Sequence, residues 1–194
     1  FTWADYQVRV NSELADILGN FVNRTIVLTH KYYEGSVPEA GELTQVEHAL
    51  FEKLQAVEER ISTLMYGYKI REAQQEMMNI ARLGNKYLAD EEPWKKVKTA
   101  PDRVPTILNT SLQITRELAR MAQVFLPQTS HKIYQMLKLV ADEWNTMLPL
   151  IPAGHTLNPA EILFEKISDE FVTEEKAKLT QTTTPSIPYP AMKE

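Results

Sequence analysis

Apolar residues recur along most of the chain in steps of three and four, the spacing of one face of an α-helix. Leu14, Ile17, Leu18, Phe21, Val22 and Leu28 keep this step and predict a long opening helix over residues 3–33. Residues 34–41 carry Gly35, Pro38 and Gly41 and read as a loop. A second helix is expected from Thr44, because Thr44 and Glu47 have capping-box spacing. Val46, Leu50, Leu54, Val57, Ile61 and Leu64 form its stripe, which fades at Tyr66-Gly67-Tyr68. A third helix spans residues 69–90, with Ala73, Met77, Ile80, Ala81 and Leu88 inward. Pro93 disfavours helix at Glu92, so the chain must turn there.

Lys95, Lys96, Lys98 and Arg103 then read as a basic linker. Pro105 suits a first helical turn. The fourth helix runs from there to about Phe125 on Ile107, Leu108, Leu112, Ile114, Leu118 and Met121, until Leu126-Pro127 stops it. A fifth covers residues 130–140, with Ile133, Met136 and Leu137 inward. Residues 148–159 are a connection bearing Pro and Gly, and residues 168–179 form a short charged helix. No useful run of strand-like alternation appears. The expected fold is all-α: a helical bundle of four longer helices and one or two short ones. Residues 1–180 form the helical domain, and the Thr- and Pro-rich residues 181–194 read as a linker.

The length, 194 residues, suits one domain with a tail. With 43% hydrophobic and 24% charged residues, the chain can bury a real core. The absence of cysteine excludes disulfides, thiolate zinc sites and a cysteine nucleophile, and fits a reducing cytosol. No apolar run reaches the roughly 18 residues of a membrane-spanning helix, so no membrane partner is expected. The opening Phe1-Thr2-Trp3-Ala4-Asp5 is not a signal peptide and lacks an initiator Met, which reads as a start inside a longer protein. The net charge of −5 counts against broad, sequence-blind binding of nucleic acid, DNA included. It leaves room for a small site that reads a few unpaired bases.

Candidate chemistry is sparse. His30, His48, His131 and His155 lie far apart, and none has paired-ligand spacing. Glu47-His48 is adjacent rather than Glu-x-x-His, so a di-iron bundle does not fit. Nucleophile-elbow, phosphate-loop and dinucleotide motifs are missing. No catalytic or metal-binding residue is therefore assigned.

Three features remain. Asn20 and Arg24 are four apart, so an amide and a guanidinium share one helix face. They could read a base edge; on spacing alone, a loop-bonding Asn and a solvated Arg explain them better. Trp94 follows Pro93 at a helix end and could stack a base, although most tryptophans are packing residues. Arg82, Lys86, Lys95, Lys96, Lys98 and Arg103 could touch phosphates, but Asp90, Glu91, Glu92 and Asp102 dilute the patch. Gly19 inside a helix costs about 1 kcal/mol relative to Ala and calls for a close approach to something.

Taken together, four segments resemble one family. Val8-Arg9-Val10-Asn11-Ser12-Glu13-Leu14-Ala15-Asp16-Ile17-Leu18-Gly19-Asn20-Phe21-Val22-Asn23-Arg24 is similar to the opening helix of the methionyl-tRNA synthetase anticodon-binding domain. Leu163-Phe164-Glu165-Lys166-Ile167 resembles the segment that ends that domain. Asn85-Lys86-Tyr87 with Pro93-Trp94-Lys95, and Leu126-Pro127-Gln128-Thr129-Ser130-His131-Lys132-Ile133, resemble elements shared by several class I synthetases.

The resemblance implies a cytoplasmic methionine–tRNA ligase, with this chain as its non-catalytic, CAU-reading domain. The base-reading Asn and Arg of the family fall on Asn20 and Arg24, and its stacking Pro-Trp pair on Pro93 and Trp94. Lys86, Lys95 and Lys96 become candidate phosphate contacts. The implied partners are the anticodon stem-loop of tRNA(Met), the catalytic domain of the same chain, and a downstream RNA-binding or dimerising module. ATP, and zinc where a member carries it, belong to the catalytic domain, whose signatures are absent here. Two alternatives stand at this point: the anticodon-binding domain of another class I synthetase, or a helical protein-interaction module with no RNA role.

Overall fold

The computed structural model of the chain describes residues 1–141 and 149–181. The linker expected over 181–194 therefore lies, beyond its first residue, outside the described residues. The opening helix is present but changes winding. Helix α1 (Trp3–Arg9) runs into a π-helical stretch (Val10–Gly19), which continues as α2 (Asn20–Tyr33). At the second junction the Asn20 N–H reaches back five residues to the Ala15 carbonyl. Steps of three and four do not separate the two windings, so the sequence reads as one helix. Wide turns of this kind recur at functional sites.

After a left-handed Glu34 come α3 (Gln45–Tyr66) and α4 (Ile70–Glu91), two long helices packed against each other. Thr44 caps α3 as its sequence spacing predicts: Val46 N–H donates to Thr44 Oγ1, and Glu47 Oε2 accepts from the Thr44 N–H at 2.8 Å. The expected basic linker is instead a short helix, α5 (Pro93–Thr99), followed by a 3-10 turn (Pro101–Arg103). Pro93 and Pro101 occupy first-turn positions, where a missing N–H leaves no helical bond unmade. Then follow α6 (Val104–Ala122), α7 (Pro127–Leu137) and α8 (Asp169–Gln181). Helix α7 starts three residues earlier than expected, because Pro127 begins it rather than merely ending α6.

Helix α6 is the centre of the bundle and packs on α2, α4 and α7. It is buried nearly all round, including Thr110, Ser111, Thr115, Arg116 and Arg120. Apolar periodicity does not anticipate this. Ser111, Thr115 and, in α2, Thr25 are tolerated there because each hydroxyl donates to a carbonyl one turn back: Ser111 to Ile107 at 2.8 Å, Thr115 to Ser111 at 2.8 Å, and Thr25 to Phe21 at 2.9 Å. Arg120 is kept ionised by Glu117 at 2.6 Å and Glu58 at 2.7 Å. Of the stripe expected inward on α3, Leu50, Leu54 and Ile61 are buried and Val57 and Leu64 pack against the core, while Val46 in the first turn is exposed.

The chain after α7 returns across the bundle. Gln113 holds the Ile151 backbone by both its amide atoms, and Val37 exchanges backbone hydrogen bonds with His155 and Gly154. Further on, Asn11 holds both backbone groups of Ile167, at 2.8 and 2.9 Å. Phe164 of the same stretch lies 3.5 Å from where a Cβ on Gly19 would sit. That is ordinary contact distance; the tighter approach at Gly19 is to the Leu14 carbonyl oxygen, 3.2 Å from the same point.

Candidate nucleic-acid interface

Three elements converge around the start of α2. Phe21 is fully buried and points its ring at α4, where Gly84 leaves it room. A Cβ at Gly84 would lie only 2.3 Å from the ring. This contact lets the two helices approach closely enough for the next residue of α4, Asn85, to reach the α2 junction. Asn85 Nδ2 donates to the Ile17 carbonyl at 2.7 Å and to the Ala81 carbonyl at 3.2 Å. Its Oδ1 accepts a long hydrogen bond, 3.5 Å, from Nδ2 of Asn20. Asn20 itself is exposed. So Asn20 bonds a helix residue, not the neighbouring loop that spacing alone favoured.

One turn on, Arg24 is half-buried and places its guanidinium carbon 4.8 Å from the centre of the Trp94 ring. Such a cation–π contact contributes roughly 0.5–1 kcal/mol at exposed sites, and more when desolvated. Trp94 comes to this place by a sharp turn. Glu92 adopts the left-handed conformation (φ 43°, ψ 56°), which is unusual for a residue with a side chain. It is the single residue between α4 and α5. Pro93 is buried beneath, and Trp94 is half-buried with part of its ring open. The amide, the guanidinium and the indole thus share one surface.

Three of the lysines nearby are engaged. Lys86 pairs with Asp90 at 2.8 Å and Lys95 with Glu92 at 2.7 Å. Both pairs are solvent-exposed, so each contributes little, about 0–1 kcal/mol, and a phosphate can displace the carboxylate. Lys96 differs: it is folded onto the mostly buried Glu91 at 2.5 Å. Arg103 also reaches Glu91, at 3.3 Å, and continues to Glu47 at 2.7 Å.

Glu47 is completely buried. Burial pushes its pKa up, but hydrogen bonds from Arg103, Thr44 and the Tyr87 hydroxyl outweigh this and bring it down from 4.5 to about 2. Burial and the bond to Glu47 push the Tyr87 hydroxyl well above its ordinary value. The capping box legible in the sequence is therefore also the anchor of a buried ion network, which no local pattern shows. Asn85 was likewise legible only as part of a shared family element. Its role depends on a contact across 65 residues to Asn20.

Two of the four histidines serve the backbone. His30 bonds the Asn158 carbonyl at 3.0 Å and His155 the Leu137 carbonyl at 2.7 Å, while His48 and His131 are exposed. Among the described residues, no group of three or more His, Cys, Asp or Glu side chains is placed to hold a metal ion. Among the same residues, no helix is long and apolar enough to cross a membrane.

Comparison with known proteins agrees with the resemblance. The family described as the anticodon binding domain of methionyl tRNA ligase matches residues 37–184. The methionine–tRNA ligase of Parabacteroides distasonis is 50% identical over 184 residues, covering 94% of this chain and 27% of that protein. That of Flavobacterium psychrophilum is 49% identical over 191 residues, covering 96% of this chain and 28% of that protein. These alignments extend over the α1–α2 region that the family match omits. The chain spans about a quarter of the length of these curated relatives. In structure, it is similar to the free-state methionyl-tRNA synthetase of Mycobacterium tuberculosis, with a TM-score of 0.77 at 24% identity over 84% of this chain and 34% of that one. That likeness shows a shared fold. On the family match and these relatives together, the chain belongs to the family of methionyl-tRNA ligase anticodon-binding domains.

Proposed function

We propose that the chain reads the CAU anticodon of tRNA(Met) as the non-catalytic domain of a cytoplasmic methionine–tRNA ligase, whose catalytic part attaches methionine at the expense of ATP. One observation carries this reading: an exposed amide, Asn20, stands one helical turn from a guanidinium that lies over the half-open ring of Trp94. Unpaired anticodon bases offer their Watson–Crick edges to such a surface. Cytosine presents an amino donor beside two acceptors. The Asn20 carbonyl accepts from the amino group, and the Arg24 guanidinium donates to the acceptors. Uracil reverses the donor and acceptor at two of those positions, which leaves polar groups unpaired. Trp94 offers ring face to a splayed base, a contact of about 1–3 kcal/mol. Lys86 and Lys95 exchange their exposed carboxylate partners for phosphates. The inward pairing of Lys96 favours a holding role for it instead. In the parent protein the catalytic domain and a downstream RNA-binding or dimerising module are its neighbours.

The test is binding of RNA hairpins that differ at the first anticodon base. Cytosine is expected to bind best, and Trp94→Ala to weaken binding about 5- to 150-fold, the equivalent of one stacked base. Equal binding of all four first bases would remove the CAU assignment.

A further inference from the structure

We propose that Glu91 is a positioning residue for Trp94: clasped by Lys96 and Arg103, it fixes helix α5 and so sets where the indole meets a base. This rests on the anticodon reading above and names what supports it.

Helices α4 and α5 are joined by the single residue Glu92, in a left-handed conformation. A one-residue joint does not by itself fix the direction of a seven-residue helix, so α5 takes its direction from what it touches. Glu91 is the last residue of α4, and its carboxylate holds the α5 segment at two points, the middle of the helix and the end of the 3-10 turn. Lys96, two residues past Trp94, reaches it at 2.5 Å, and Arg103, at the close of the 3-10 turn, reaches it at 3.3 Å. Arg103 continues to Glu47, which is fixed at the start of α3 by Thr44 and Tyr87. The α5 segment is thus stapled to the end of one long helix and the start of another.

The pairs in this staple are largely shielded. Only 12% of the Glu91 side chain is exposed, and 29% of Lys96. Lys95 and Glu92 form the other ion pair of the segment, with 66% and 40% exposed. Water and salt weaken that outer pair far more than the inner one. The inner pair therefore holds α5, and Lys96 and Lys95 have opposite duties although they are neighbours in sequence.

The experiment uses the whole chain labelled with fluorotryptophan. The Trp94 fluorine resonance is assigned by its loss in Trp94→Phe. In Glu91→Gln, which keeps the side-chain volume and removes the charge, this resonance is expected to shift and broaden while that of Trp3 stays in place. Affinity for the CAU hairpin falls about five- to tenfold, but less than about twofold when the same change is made in a Trp94→Ala background, because Glu91 acts through the indole. Lys96→Met leaves the Arg103 bridges intact and gives the same pattern should Glu91→Gln fold poorly. A Trp94 resonance that does not move, or an equal loss of affinity in both backgrounds, overturns the proposal. So does a change in the Trp3 and Trp94 resonances together, the mark of a general stability role. Hairpin affinity indifferent to Trp94→Ala sinks the stacking reading instead, and the fluorine spectrum then judges the hold on the indole alone.

Discussion

Gly84→Ala tests whether the distance between α2 and α4 is set where the structure puts it. A Cβ built at Gly84 meets three Phe21 ring carbons at 2.3, 2.4 and 2.6 Å, where ordinary contact begins near 3.4 Å. About 1 Å of separation must be found. Phe21 is fully buried and cannot turn outward, so the helices must part or the ring must leave its rotamer. Overpacking costs about 1–3 kcal/mol, and an overlap of about 1 Å with three carbons of a fully buried ring puts this site at about 2–3 kcal/mol. Replacing a helical Gly returns about 1 kcal/mol of propensity. The net loss, about 1–2 kcal/mol, lowers Tm by roughly 2–8 °C for a chain of this size. Gly19→Ala is the control: its new Cβ meets nothing closer than 3.2 Å, and its stability is expected within about 1 kcal/mol of wild type. Thermal and urea unfolding measure both. Adding Phe21→Leu, which clears the ring, should cost less in the Gly84→Ala background than in wild type. A Gly84→Ala protein as stable as wild type, or a Phe21→Leu cost equal in both backgrounds, refutes the reasoning.

Further tests follow from the same contacts. Glu47 is buried with its pKa lowered from 4.5 to about 2, so its stabilisation is fully present above pH 4.5 and is lost as pH falls towards 2. The shift is equivalent to about 3 kcal/mol. Burial pushes the Glu117 carboxyl the other way, so acid favours the fold there and offsets part of the loss. A Tm titration should therefore slope over pH 2–4.5 in wild type and flatten in Glu47→Gln; parallel curves would remove Glu47 from the account. Asn85→Ala removes bonds to Ile17, Ala81 and Asn20. It is expected to cost about 1–2 kcal/mol of stability and to reduce discrimination between cytosine and uracil hairpins, with unchanged discrimination counting against its support of Asn20. Lys86→Ala and Lys95→Ala should each lower the salt dependence of hairpin binding by about 0.7 in log–log slope, whereas Lys96→Ala should weaken binding with the slope intact. A matching drop in slope for Lys96→Ala would make it a phosphate contact.

Much of the molecule was legible in one dimension. Helix spans followed from apolar steps, and the start of α3 from Thr44 and Glu47, because these are local effects of backbone geometry and nearby side chains. Pro93 announced the turn before Trp94, though not the helix after it: a seven-residue element is too short to show a period. The opening stretch concealed its wide winding because apolar steps report which side faces inward, not which carbonyl each N–H reaches. The polar residues of α6 were illegible as core, because their burial depends on hydroxyls bonding within the helix and on neighbours from three other elements.

The sequence by itself determined which segments are helical, where most of them begin, and which four residues stand as candidates to meet a base: Asn20, Arg24, Pro93 and Trp94. Only the tertiary structure decided that Arg24 lies over Trp94, that Asn85 reaches Asn20, and that Lys96 turns inward while Lys95 faces solvent. Residues some 70 positions apart are brought together by close packing of α2 on α4 through Gly84 and Phe21. Contacts between distant segments obey no period along the chain, so their geometry appears only once the helices have packed.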